Sequence, residues 1–189
     1  GRSVWVAQRE GRTKDGNDVT QQGVLKMITM ARGKTPLLQY IKELDIVPVA
    51  ISYEYDPTDI LKVPELVAKQ ENIPYIKTNN EDFNSILKGA LGFKKRIHIE
   101  AATFDPSIYD QIKKEAQSDN DKLKRLASEI DKNIHRHYKL WPSNYIAYDL
   151  YHNTSKYASH YDEKELRHFE RRLERRVNKE NPLEIESFL

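Results

Sequence analysis

The order of apolar and polar positions divides the chain into two parts of different character. In the first part, two short apolar runs and one segment of alternating apolar and polar residues lie between segments of helical periodicity. The apolar runs, residues 4–7 and 46–51, and the alternating segment, residues 96–101, are each predicted to form a strand. The first two are apolar on both faces, which is typical of strands covered by helices on either side. The pattern predicts an α/β fold containing part of a mixed or mostly parallel sheet flanked by helices.

Helical repeats fill the spaces between the predicted strands. Apolar residues recur at helical spacing over residues 20–32, 36–44, 58–70 and 80–91, and Asp105 with Pro106 begins a further helix. Pro48 interrupts the second apolar run. Because proline has no backbone N–H, it is expected at an edge, at a bulge or at the start of that strand.

The second part of the chain contains only helical patterns. Apolar stripes cover residues 123–134, 145–151 and 166–177, and Ser143 is expected to cap the middle helix. Asp162 and Glu165 have the spacing of a capping box at the start of the last one. We therefore divide the chain into an α/β part, residues 1–105, and an all-helical C-terminal extension, residues 106–189.

Two or three strands are fewer than a sheet normally contains. We therefore expect a preceding segment of the same protein to supply the remaining strands, with residues 1–105 forming the C-terminal half of the α/β domain.

Composition narrows the class of function only slightly. Of 189 residues, 31 are Lys or Arg and 29 are Asp or Glu, so the net charge of +2 gives no general argument for binding nucleic acid. The chain has no cysteine, which excludes disulfides, thiolate metal sites and a cysteine nucleophile. The six histidines are scattered, and His135 and His137 diverge on a helix, so no metal site is expected.

The first predicted strand leads into a basic turn, residues 9–14, with the sequence Arg-Glu-Gly-Arg-Thr-Lys. Ligands of open α/β sheets bind at the carboxyl ends of strands, and cationic side chains beside a helix N-terminus suit a phosphate. Arg12 offers a planar fork to phosphate and Lys14 a point charge. A solvated turn with local ion pairs is the alternative interpretation.

This turn resembles the third conserved block of the glycerolipid acyltransferases, the enzymes that acylate glycerol-3-phosphate and lysophosphatidate. The strand with an embedded proline, residues 46–53, resembles their fourth block, and residues 95–99 resemble the strand that follows it. The similarity covers residues 4–105, and the bacterial enzymes with a helical extension are the most similar branch, with residues 141–145 as a further point of similarity. In this chain Arg12 follows Gly11 directly, whereas the family usually has one residue between them.

The resemblance implies transfer of a fatty acyl group from an acyl thioester to a glycerol hydroxyl in phospholipid synthesis. The substrate-binding residues that it implies are Glu10, Gly11, Arg12, Lys14 and Tyr53. Arg12 and Lys14 would hold the phosphate of the acceptor. Glu10 would orient Arg12 or accept a bond from an acceptor hydroxyl. For Tyr53, lining the acceptor site and simply covering the end of the sheet remain open alternatives.

The family's catalytic motif, a histidine with an aspartate five positions later, is absent from this sequence. We therefore expect the catalytic residues upstream, and we expect residues 1–189 alone to be inactive. No cofactor is implied beyond the co-substrate, acyl-CoA or acyl-carrier protein. The resemblance implies a cytoplasmic protein at the inner face of the membrane, with the thioester donor, the phosphorylated acceptor and the upstream segment as partners and no nucleic acid.

Two other functions remain open from the sequence. One is a non-catalytic module that binds phosphate or a nucleotide. The other is a basic helical adaptor that uses the face of residues 171–176, which belongs to an arginine-rich run of residues 167–176. This run could dock on anionic lipid headgroups. Glu165, Glu170 and Glu174, interleaved with the arginines, favour a solvated helix face with local ion pairs.

Overall fold

The computed structural model describes residues 2–8 and 19–189, and this part of the chain is mostly helical. It contains helices α1 to α9 and strands β1 and β2. The helices are α1 (Gln22–Ile28), α2 (Leu37–Glu43), α3 (Asp59–Gln70), α4 (Glu81–Leu91), α5 (Ser107–Glu115), α6 (Asp119–His137), α7 (Pro142–His152), α8 (Glu163–Arg176) and α9 (Pro182–Phe188). The strands are β1 (Val49–Tyr53) and β2 (Ile97–Ala101).

The helical periodicity in the sequence locates most of the helices correctly. The capping box before α8 is confirmed, because the Asp162 carboxylate accepts the Glu165 backbone N–H at 2.7 Å. The expectation that Ser143 caps α7 is wrong. Ser143 lies inside α7, where its hydroxyl donates to the Glu54 carbonyl oxygen at 2.8 Å.

The predicted sheet is wrong in its type and its extent. In the described residues the sheet has two strands, β1 and β2, and they are antiparallel, so the expected α/β fold with a mixed or mostly parallel sheet is not formed. β1 alternates between more and less buried residues, and β2 is exposed or half-buried throughout. A strand covered on one face suits an antiparallel pair, whereas a parallel sheet needs cover on both faces.

The first apolar run does not form a strand. Residues 2–8 have no regular secondary structure, and the side chains of Val4 and Trp5 are mostly exposed. Pro48 directly precedes β1 and accepts a hydrogen bond from the Ala102 N–H at 3.2 Å. The backbone hydrogen bonds between β1 and β2 therefore begin at a residue whose lack of an N–H costs no hydrogen bond.

The chain forms two compact units, and each unit is built from two segments of sequence. Unit 1 contains the described residues up to Ile51 together with Ile99–Tyr138. Its core is formed by buried side chains from α1, α2, α5 and α6, namely Leu25, Leu37, Ile41, Ile112, Leu123, Leu126, Ala127 and Ile130. Asp131 on α6 fixes the residues before α1, because its carboxylate accepts both the backbone N–H and the hydroxyl of Thr20.

Unit 2 contains Ser52–His98 and Lys139–Leu189. Within it α3 packs on α9 and α7 packs on α8, with Val63, Ile146 and Phe169 among the buried side chains. The buried carboxylate of Asp149 accepts hydrogen bonds from the Thr154 and Tyr161 hydroxyls, at 2.9 Å each. These bonds fix the connection between α7 and α8. The division at residue 105 stays a prediction.

None of the helices in the described ranges has the length and apolar content needed to cross a membrane.

Candidate functional site

Unit 2 contains a basic pocket of about 820 Å³ between the residues that follow β1, the residues around the end of α4, and α8. Its lining has six cationic side chains, Lys88, Lys95, Arg171, Arg172, Arg175 and Arg176. None of the described residues that line it is acidic. We call this cavity the basic pocket. Its excess of positive charge would favour an anionic ligand over a neutral or cationic one.

Aromatic rings form one side of the basic pocket. The Arg172 guanidinium lies 4.3 Å from the centroid of the Tyr55 ring, and the Lys95 ammonium lies 5.1 Å from it. Phe93 packs beside Tyr55 with 6.5 Å between the ring centroids. Because the face of an aromatic ring attracts cations, Tyr55 holds both basic groups in place.

Asp59, at the start of α3, binds two of the arginines. Its two carboxylate oxygens accept one bond from Arg172 and one from Arg176, each at 2.5 Å. The side chains of Asp59 and Arg172 are only 15% and 13% exposed, so this bridge is largely shielded from water. Arg172 and Arg176 share one carboxylate, which compensates half of their charge and fixes their positions.

Three other cations of the basic pocket have no such compensation. Lys88, Arg171 and Arg175 form no ion pair with any carboxylate among the described residues. Arg171 and Arg175 are also one helical turn apart on α8, where two like charges destabilise each other. A bound anion would remove this repulsion, and phosphate would match the two donor forks.

A buried carboxylate fixes the rim of the basic pocket at Lys95. Glu54 directly follows β1, and its side chain is 1% exposed. It accepts bonds from Lys95 Nζ at 2.6 Å and from both Nε and Nη2 of Arg96. Arg96 also binds Glu165 at 3.0 Å and lies over the Trp141 ring, which joins this cluster to α8 and α7.

The pKa of Glu54 reflects both its burial and these bonds. Burial alone would raise the pKa, but hydrogen bonds and charge from Arg96 and Lys95 outweigh burial and hold it below the usual value. The bond to Glu54 in turn raises the pKa of Arg96. Glu54 is therefore a carboxylate at neutral pH, and Arg96 stays charged beside it.

The local sequence explains how α8 presents its arginines. The capping box fixes the start of the helix at Glu163, and buried Phe169 fixes which side faces the interior of unit 2. The two arginine pairs, 171–172 and 175–176, are four residues apart and therefore lie on the same side of α8. One member of each pair reaches Asp59, and the other member has no carboxylate partner among the described residues.

The structure places one of the substrate-binding residues expected from the sequence. Tyr53 is the last residue of β1, with a half-exposed ring 5.7 Å from the Lys94 ammonium. It does not line the basic pocket, whereas Tyr55 does. The other four expected residues, Glu10, Gly11, Arg12 and Lys14, lie outside the described residues.

Sequence reasoning missed most of the basic pocket. The sequence pattern shows the arginines of α8 but predicts ion pairs with Glu165, Glu170 and Glu174. In the structure Glu165 binds Arg96 and Glu174 binds Lys179, while Arg172 and Arg176 bind Asp59. The available signal was the repeat of arginine pairs at a four-residue interval.

Comparison with known proteins finds no matching family model, no matching curated protein and no matching solved structure.

Proposed function

We propose that the basic pocket of unit 2 binds the phosphate group of a small organic ligand. The observation that supports this proposal is the set of three cations, Lys88, Arg171 and Arg175, that have no carboxylate partner in the described chain. Arginine forks bind the oxygens of phosphate through paired charge-assisted hydrogen bonds. The neighbouring bridge at Asp59 and the ring of Tyr55 hold the pocket in shape before a ligand arrives, which lowers the cost of ordering on binding.

We propose further that this binding serves acyl transfer of the glycerolipid type. The support is the resemblance of residues 9–14 and 46–53 to two blocks of that family. Residues 46–53 include β1, and the pocket residue Tyr55 lies two positions after it. Within this proposal Arg12 and Lys14 keep their role as ligands of the acceptor phosphate. Both substrates of such a reaction carry phosphate groups: the glycerol-phosphate acceptor and a coenzyme A or carrier-protein donor.

The experiment is a calorimetric titration of the full chain with two phosphorylated compounds and their neutral counterparts. Glycerol-3-phosphate is compared with glycerol, and coenzyme A with pantetheine. We expect at least one phosphorylated compound to bind, and neither neutral compound. The affinity is expected to fall as salt is raised, because the pocket is partly open to screening ions.

The four ligands also distinguish the possible roles of the site. Binding of glycerol-3-phosphate alone assigns the pocket to the acceptor, and binding of coenzyme A alone assigns it to the donor. Equal binding of glycerol and glycerol-3-phosphate, or no binding of either phosphorylated compound, would contradict the proposal. A pocket that binds phosphate in a protein without acyl-transfer activity would instead support the non-catalytic module.

A further inference from the structure

The basic pocket holds more positive charge than one phosphate group can neutralise. Three of its cations, Lys88, Arg171 and Arg175, have no carboxylate partner among the described residues. A phosphate monoester carries a charge of about −1.5 to −2 at pH 7. The positive charge of these three side chains alone is therefore larger than the negative charge of one phosphate group.

The two arginines that bind Asp59 add to this excess. Asp59 carries one negative charge and pairs with both Arg172 and Arg176, so this group of three side chains keeps one positive charge. Arg172 and Arg176 both line the basic pocket. One charge from this group and three from the cations without a carboxylate partner give four positive charges to be compensated.

Lys95, the sixth cation of the basic pocket, does not enter this count. Its ammonium pairs with Glu54 at 2.6 Å. Arg96, which shares Glu54, has Glu165 as a second carboxylate partner at 3.0 Å. Lys95 and Arg96 are thus balanced by two carboxylates, and the excess charge of the pocket comes from the other five cations.

The excess charge is distributed over two helices that border the same cavity. Lys88 lies in the last turn of α4, whereas Arg171 and Arg175 lie on α8. The pocket has a volume of about 820 Å³, which is typical of sites that enclose a whole small ligand. A single phosphate bound by Arg171 and Arg175 would leave about two positive charges uncompensated in this cavity.

We propose that the natural ligand of the basic pocket carries at least two phosphate groups. This inference rests on the proposed function, because it specifies the charge of the phosphorylated ligand that binds there. The guanidinium forks of Arg171 and Arg175 bind one phosphate group. The charge that remains, at Lys88 and beside Asp59, binds the other, so that the charges of site and ligand are complementary.

Within the proposed acyl transfer, this charge assigns the basic pocket to a coenzyme A donor. Glycerol-3-phosphate carries a single phosphate group, and so does the phosphopantetheine arm of a carrier protein, whereas coenzyme A carries more than one. The pocket then distinguishes between the two types of donor, and the acceptor phosphate stays assigned to Arg12 and Lys14.

The test is titration calorimetry of the full chain with two pairs of compounds that differ in the number of their phosphate groups. Orthophosphate is compared with pyrophosphate, and 4′-phosphopantetheine with coenzyme A. In each pair we expect the compound with more phosphate groups to bind at least about tenfold tighter, because each further charge-assisted contact contributes at least about that factor.

A lysine variant shows whether the preference belongs to this pocket. Lys88→Ala is expected to weaken the binding of pyrophosphate about tenfold and that of orthophosphate less, because the arginine forks still hold one phosphate group. Lys114→Ala is the matched control. Both lysines are exposed in the last turn of a helix, α4 for Lys88 and α5 for Lys114, and of the two Lys88 lines the basic pocket. The control variant should keep the full preference for pyrophosphate.

Equal affinities within both pairs, or a preference that Lys88→Ala leaves unchanged, would overturn the inference while leaving the binding of phosphate intact. No binding of any of the four compounds would contradict the proposed function itself, so the two failures are distinguishable. A preference for pyrophosphate without one for coenzyme A would support a ligand with two phosphate groups and overturn the assignment to the donor.

Discussion

Replacing Glu54 by alanine is expected to lower the free energy of unfolding by about 3 kcal/mol, because a buried carboxylate that binds two cations is removed. Lys95 and Arg96 lose their shared partner, although part of each side chain is exposed and water moderates the loss. The measurement is urea unfolding at pH 7 followed by tryptophan fluorescence. In a Trp5→Phe background Trp141 is the single tryptophan, and it lies against Arg96 within this cluster.

The effect of this substitution is also expected to depend on pH. The folded-state pKa of Glu54 lies below its usual value of 4.5. A carboxylate with a lowered pKa contributes its full stabilisation above the unfolded-state value and loses it as the pH falls through the folded-state value. The difference between Glu54→Ala and the parent protein should therefore be constant near neutral pH and decrease below pH 4.5.

The matched control for Glu54 is Glu163→Ala. Glu163 forms an ion pair with Arg167 on the surface of α8, with both side chains well exposed. Exposed pairs of this kind contribute roughly 0.3–0.5 kcal/mol, so the control should change stability little. Equal effects of the two substitutions at pH 7 would contradict the role assigned to the Glu54 cluster.

Reversing the charges of Arg171 and Arg175 is expected to weaken the binding of the phosphorylated ligand at least about a hundredfold. Each charge-assisted hydrogen bond to an ionised group contributes roughly 1.5–3 kcal/mol, and the two glutamates add repulsion toward the phosphate. The measurement is titration calorimetry on Arg171→Glu with Arg175→Glu. Neither arginine has a carboxylate partner among the described residues, so the fold of unit 2 should be retained.

A substitution at Asp59 should change the affinity in the opposite direction. Asp59→Asn removes the negative charge shared by Arg172 and Arg176, which leaves the basic pocket more positive. We expect tighter binding of the phosphorylated ligand, because the gain in positive charge outweighs the loss of the bridge that orders the two arginines, together with a lower free energy of unfolding. Weaker binding in both variants would indicate that the substitutions act by disturbing the shape of the pocket and not through charge.

The parts of the fold that depend on short-range pattern could be predicted from the sequence. The helical stripes and the Asp162–Glu165 capping box are local features, and the structure confirms both. The positions of β1 and β2 were also close to the expected ones. Short apolar runs carry no information about the direction of a partner strand, so the parallel sheet was wrong. Residues 4–7 show that an apolar run need not be buried.

The candidate site depended on contacts that no local pattern encodes. Glu54 meets Lys95 and Arg96 across 41 and 42 positions of sequence, and Asp59 meets Arg172 and Arg176 across 113 and 117 positions. The sequence does not reveal that Asp59 contacts α8. It therefore suggests only the glutamates of α8 as ion-pair partners for the arginines of that helix. The structure divides the same arginines into a set paired with Asp59 and a set with no carboxylate partner in residues 2–8 and 19–189, and that division is the basis of the proposed site.

The most direct test of the proposed site is an NMR titration that follows the arginine Nε–Hε resonances of the full chain. Glycerol-3-phosphate and coenzyme A are added in turn, with glycerol and pantetheine as the neutral counterparts. If the basic pocket binds phosphate, at least one phosphorylated compound shifts the resonances of Arg171 and Arg175, that of Arg167 stays in place, and the neutral compounds shift none. Resonances of Arg171 and Arg175 that do not respond to either phosphorylated compound would contradict the proposed site.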